Sequence, residues 1–108
     1  MYKSDTSAVI VRGARFMPCT LTDEDSGKTI KINVKEPKLK VYKKFTEINE
    51  ASDVDDIAAV AAAILSCNKE NVKITADYVL DNFAIDEIAQ FFEDFASWIS
   101  EARRTDPN

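Results

Sequence analysis

From Asp86 to about Arg104 the sequence lays its bulkiest apolar residues along one side of a helix: Ile88, Phe91, Phe92, Phe95, Trp98, Ile99 and Ala102. Glu87, Gln90, Glu93, Asp94, Ser97, Ser100 and Glu101 fill the other side. A helix that covers one small core needs only a narrow apolar stripe, and this stripe is wide. The rest of the chain must therefore cover three phenylalanines and a tryptophan, or leave some of them for a partner. Two readings stand. In one, this is the central helix of the core, touching the other helices and the sheet. In the other, Phe91, Phe95 and Trp98 form a protein-binding or self-association surface, with Trp98 its best candidate. Cations at Arg103 and Arg104 suit the negative end of the helix, and Pro107 confirms the stop.

The cover has to come from 108 residues, enough for one domain and too few for two independent cores. The front third carries β patterning. Residues 8–11 and 16–21 are short apolar runs, and residues 29–34 alternate apolar and polar with period two. Between the last two runs, the acidic stretch 22–28 closes on Gly27 and reads as a hairpin loop longer than the tight two-residue kind. Pro18 cannot donate a ladder hydrogen bond, so its strand is expected at an edge or with a bulge. After Pro37, Leu39, Tyr42, Phe45 and Ile48 recur every three residues among lysines, which predicts a short amphipathic helix with an extended segment as the rival.

The second half is helical. Ser52 with Asp55 resembles a capping box, and Val54, Ile57, Ala58, Ala61, Ile64 and Leu65 form one stripe behind it. Its alanines favour helix and allow a second helix to approach closely. Residues 67–71 are a polar break. Thr75 caps a short helix through Phe83, with Val79, Leu80 and Phe83 facing inward. The expected architecture is α+β: a small N-terminal antiparallel β unit followed by three or four packed helices. It forms a single domain over 1–108, with a β-rich part at 1–35, a helical part at 36–104 and a tail at 105–108.

Composition removes most catalytic chemistries. Histidine is absent, and with it the commonest general base, transition-metal ligand and near-neutral switch. Two glycines, Gly13 and Gly27, cannot build a phosphate-cradling loop. The pairs Asp55-Asp56 and Asp86-Glu87 are explained by helix starts, and Glu93-Asp94 by a polar face. Asp23, Asp25 and Gly27 imitate the opening of a calcium loop, but the position that needs a bidentate glutamate holds Val34. Cys19 and Cys67 lack metal-ligand spacing and read as reduced, half-buried small hydrophobes. The expectation is a non-enzyme with no catalytic residue, cofactor or metal. No apolar stretch is long enough to cross a membrane, and no leader pattern opens the sequence, so a cytoplasmic location is expected.

Charge is unevenly divided. Residues 1–48 hold ten lysines and arginines against six acids, for +4, and residues 49–108 hold four against thirteen, for −9. That split argues for attraction within the fold or for a charged partner. An acidic total of −5 does not suit nonspecific nucleic-acid binding. The cluster Lys35, Lys38, Lys40, Lys43 and Lys44 reads as a solvated face rather than a phosphate-binding one.

The texture of the helical half, IAAVAAAILSCNKE at 57–70, ITADYVLDNF at 74–83 and IAQFFEDFASWI at 88–99, resembles the tail assembly chaperones of long-tailed bacteriophages and prophages of Gram-positive bacteria. The resemblance covers roughly residues 29–104 and rests on architecture, without a diagnostic motif. It implies a small acidic holdase in the bacterial host cytoplasm that coats the tape measure protein before the tail tube polymerises. The implied partners are the tape measure protein and the tail tube protein; self-association is left open by the aromatic stripe alone, and charge and hydropathy give no nucleic-acid or membrane partner. The rivals are a structural tail-completion or connector protein and, third, a nucleic-acid-binding regulator.

Overall fold

A computed structural model of the chain describes residues 2–4, 16–49 and 51–104. Among them are three strands, β1 (Tyr2–Ser4), β2 (Phe16–Thr22) and β3 (Thr29–Lys35). Four helices follow: α1 (Leu39–Thr46), α2 (Val54–Ser66), α3 (Ala76–Asn82) and α4 (Ile85–Arg104). The fold is α+β, a small N-terminal antiparallel sheet followed by packed helices. The apolar run at 8–11 lies outside the described residues.

The sheet has the order β1-β2-β3, antiparallel throughout. Period two in the sequence becomes two unlike faces: Met17, Cys19, Leu21, Ile32 and Val34 are buried, and their neighbours point outward. Pro18 departs from expectation. Its strand is the central one, and the β2–β3 register from Phe16↔Lys35 to Thr22↔Thr29 contains no bulge. The tolerance has a geometric cause. The facing residue, Asn33, turns its own N–H away from β2 to Glu70, so Pro18↔Asn33 is a pair in which no ladder donor is needed. On the other flank β1 pairs only with Cys19, Thr20 and Leu21.

The hairpin tip is shaped by Asp23, whose Oδ1 accepts from the N–H of Asp25 (2.8 Å) and Ser26 (3.2 Å). Gly27 supplies the positive φ of 72° that closes it. That carboxylate works as a turn-former. The tip is docked on α3, because the Glu24 N–H donates to Asn82 Oδ1 at 2.7 Å.

The helices begin close to where the sequence places them. Residues 39–46 are helical, which decides against the extended rival. The cap of α2 is Asp53, whose carboxylate accepts from Asp55 N, while Ser52 Oγ accepts from Asn49 N in the preceding turn. Thr75 caps α3 through Tyr78 N. In α4, Glu87 reaches back to the N–H of Ala84 at 2.8 Å, the reciprocal half of a capping box.

One core gathers the buried face of the sheet, the inner faces of α2 and α3, and Phe91, Phe95, Trp98 and Ile99 of α4. It explains the width of the aromatic stripe, which is covered on two flanks as well as from below. Tyr2 of β1 stacks on Phe83 and meets the Phe91 ring edge-on, with centroids 5.6 and 5.2 Å away. On the opposite flank Phe45 of α1 lies edge-on to Phe92 (5.6 Å) and Phe95 (4.8 Å). Cys19 is buried in this core, where burial, reinforced by the charge of Asp94, pushes its thiol up to about 12. It is a protonated small hydrophobe, reduced as expected but fully buried where half-burial was expected.

Strand β1 is fastened to α4 by polar contacts that no periodicity announces. Tyr2 Oη donates to Asp94 Oδ2 at 2.8 Å, and Gln90 Nε2 donates to Oδ1 at 2.8 Å. Asp94, expected on the polar face, is therefore buried, its carboxylate supplied with donors as burial requires. The Tyr2 N–H donates to Glu87 Oε2 at 3.0 Å. Burial pushes the Glu87 carboxyl up, but the backbone donors of Ala84 and Tyr2 outweigh it and hold the group below its ordinary 4.5. A carboxylate depressed by folding stabilises above that ordinary value and loses its contribution as pH falls through the lower folded value. Glu87→Gln is accordingly expected to lower stability near pH 7 by about 1 kcal/mol or less, the site being partly solvated. The gap to wild type should close as pH drops below 4.5, read from thermal melts across a pH series. A gap constant with pH would assign the loss to packing instead.

Candidate interaction surface

The three residues nominated from the stripe, Phe91, Phe95 and Trp98, come together, but inside the protein. The two phenylalanines are fully buried and Trp98 is 1% exposed, its ring 6.1 Å from that of Phe95. The surface reading of these residues is corrected. They form the centre of the core because β1 and α1 close over both sides of the stripe. None of them can touch a partner while the fold is intact.

The large apolar side chains that do face solvent lie elsewhere. Leu39 is 83% exposed, Val54 65%, Ile85 88% and Leu80 41%. Leu39, Val54 and Leu80 were expected to face inward. The first three exposed residues share one position: each is the first residue of its helix. Helical side chains lean toward the N-terminus, so a first-turn side chain projects past the end of its helix and off the packed face. A stripe drawn by sequence spacing includes such a residue, and the geometry excludes it. Leu80 follows the buried Val79 by one position, about 100° around α3, which carries it to the outer side beside Asp77.

Each exposed residue sits among charges mainly of one sign, with the exposed Glu36 interrupting the lysines beside Leu39. Around Leu39 are the exposed Lys35, Lys38, Lys40 and Lys43, while Val41, Tyr42 and Phe45 turn to the core. Helix α1 has no acid in its first turn and carries Lys43 and Lys44 in its last. Around Leu80 and Ile85 are the exposed Asp77, Asp81 and Asp86, joined by the Asp23–Asp25 tip through the Glu24–Asn82 bond. The charge split of the sequence thus becomes two local poles, each with an aliphatic centre.

A third feature is an open cleft of about 310 Å³ between the end of α1 and the start of α2, lined by Lys44, Glu47, Ile48, Ser52, Asp56, Ala59 and Val60. Its charges have both signs, and no buried nucleophile or paired carboxylate enters it. Elsewhere the polar groups serve the scaffold. Glu70 takes both the N–H of Asn33 (2.8 Å) and its Nδ2 (2.6 Å), and those donors hold its carboxyl below the ordinary range. Among the described residues no group of three or more cysteines, aspartates or glutamates is arranged to hold a metal ion, and no helix is long and apolar enough to cross a membrane.

No family model matches the chain, and no curated protein or solved structure matches it.

Proposed function

We propose that this chain is a non-enzymatic protein-binding domain, and that it works as a tail assembly chaperone which keeps a phage tape measure protein soluble during tail morphogenesis. The observation that carries the reading is the set of large aliphatic side chains, Leu39, Val54, Leu80 and Ile85, held in solvent by a folded and highly charged domain. A holdase needs apolar surface for an amphipathic client and enough charge to stay dispersed, and both are available at three helix starts and on the outer side of α3. The α+β architecture and the alanine-rich and aromatic helices support the same reading by resemblance. The contact residues pass from Phe91, Phe95 and Trp98 to Leu39, Val54, Leu80 and Ile85.

Co-expression with the tape measure protein of the same genome tests it. The client should stay soluble and co-purify with several copies of this chain. A client that precipitates while this chain remains soluble and unbound would end the chaperone reading. Persistence of the chain in purified particles would favour a structural tail-completion or connector role, since a chaperone leaves before the particle is finished.

A further inference from the structure

We propose that β1 is a replaceable strap over a peptide-binding groove, and that an extended segment of a partner protein carrying a tyrosine takes the place of Tyr2–Ser4 between β2 and α4. The strap itself shows what the groove accepts. Its backbone pairs with Cys19, Thr20 and Leu21 of β2, and those pairs ask only for an extended chain. Its tyrosine is read closely. The Tyr2 N–H donates to Glu87 and the Tyr2 hydroxyl to Asp94, while the ring stacks on Phe83 and meets Phe91 edge-on. Glu87 and Asp94 lie about 10 Å apart along α4 at about 1.5 Å per residue, a spacing that one tyrosine bridges. Main-chain bonds for affinity and a pocket for one side chain are the arrangement of strand addition.

The strap can lift without dissolving the core. It is three residues long and contributes Tyr2 to a core whose other members belong to β2, β3 and the helices. Pro18 limits it. Because Pro18↔Asn33 needs no ladder donor, the missing N–H of Pro18 points to the other flank, just past the Ser4↔Cys19 pair where β1 ends. A unit that buries so little opens at lower free energy than the whole domain. Lifting it uncovers the edge of Phe91 that the closed fold keeps from any partner. It also uncovers Cys19, whose thiol the Tyr2 hydroxyl reaches. Glu87 and Asp94 in the wall favour a segment that is neutral or basic around its tyrosine. A second copy is a poor donor, since exchanging identical straps re-forms the same contacts and loses the freedom of two molecules. The inference goes beyond the chaperone reading and does not require the client.

Thiol labelling of the full chain tests it. With Cys67→Ser, Cys19 is the sole thiol, and it should react through an opening that hardly changes in low urea. Amides of α2 should exchange through an opening that grows steeply with urea. Tyr2→Phe keeps the ring and loses the bond to Asp94, and should speed labelling about tenfold. In Tyr2→Ala, a blocked peptide of residues 1–6, Met-Tyr-Lys-Ser-Asp-Thr, should slow labelling about tenfold where it stands at about ten times its Kd. The same peptide with alanine for tyrosine should give no protection. Circular dichroism checks each fold, and Tyr2→Phe carries the peptide test if Tyr2→Ala does not fold. Labelling of Cys19 that depends on urea as steeply as α2 exchange, or a tyrosine peptide that protects no better than the alanine one, would overturn the proposal. So would protection that grows with protein concentration in the absence of peptide, which would make a second copy the donor.

Discussion

Replacing Trp98 with alanine is expected to lower the unfolding free energy by about 3–5 kcal/mol, among the largest effects of any single substitution in this chain. The side chain is 1% exposed and lies in an aromatic row with Phe95 and Phe45, so its removal leaves a cavity that rigid neighbours fill poorly. A domain of this size has about 5–15 kcal/mol of stability in all, and the variant should populate the unfolded state measurably near its melting point. Urea unfolding followed by far-ultraviolet circular dichroism reads the effect without relying on the lost indole. Leu39→Ala and Ile85→Ala, at equally apolar but exposed positions, should stay within about 0.5 kcal/mol of wild type. A Trp98→Ala protein as stable as those two would mean that the indole is not part of the core.

That contrast also shows where the sequence was legible. Local periodicity carried β3, the alanine-rich α2, the Thr75 cap and the run of α4, because each depends on residues a few positions apart. The width of the α4 stripe was legible too, but its meaning was not. Width can signal a partner or extra cover from the same chain, and the choice rests on contacts such as Tyr2–Phe91 and Phe45–Phe95 between residues far apart in sequence. Strand β1 has three residues, too few for any alternation to register, yet it buries Asp94 and fixes one flank of the core. Pro18 misled for a related reason. Its compatibility with a central strand depends on which way the facing Asn33 N–H points, a matter of register that composition does not encode.

The candidate surface was hidden by a different effect. Hydrophobic spacing assigns a side to each residue but ignores where the helix ends, so Leu39 and Val54 were counted with the stripes they precede. The charge split was plain in the sequence, while its concentration into two poles required the hairpin to hold the acidic tip away from α1. In both cases the missing information is longitudinal: where along an element a residue lies, and how far that element carries it.

Asn68→Ala should cost about 3 kcal/mol although it removes no more than a small polar side chain from a loop. Asn68 is 2% exposed, and its carboxamide is fully employed: Nδ2 donates to Leu65 O (2.8 Å) and Val72 O (2.7 Å), and Oδ1 accepts from Val72 N (2.9 Å). Alanine would leave those backbone groups without that partner, at about 1–3 kcal/mol for each one left unsatisfied away from water. The loss also reaches the sheet. The same loop binds the outer edge of β3 through Lys35 N to Cys67 O and Lys69 N to Asn33 O, so hydrogen exchange at Lys35 and Lys69 should quicken together in the variant. Asn68→Asp separates hydrogen bonding from packing, since it keeps the shape but turns a second acceptor toward two carbonyls. Its carboxyl should titrate above the unfolded value of about 3.9, so the folded state binds more protons and stability should rise as pH falls toward that value. Asn68→Ala has no such group and should show no extra gain on acidification relative to wild type. If the two variants instead lose the same stability at every pH, the site is one of packing, and the polar break at 67–71 is an ordinary loop.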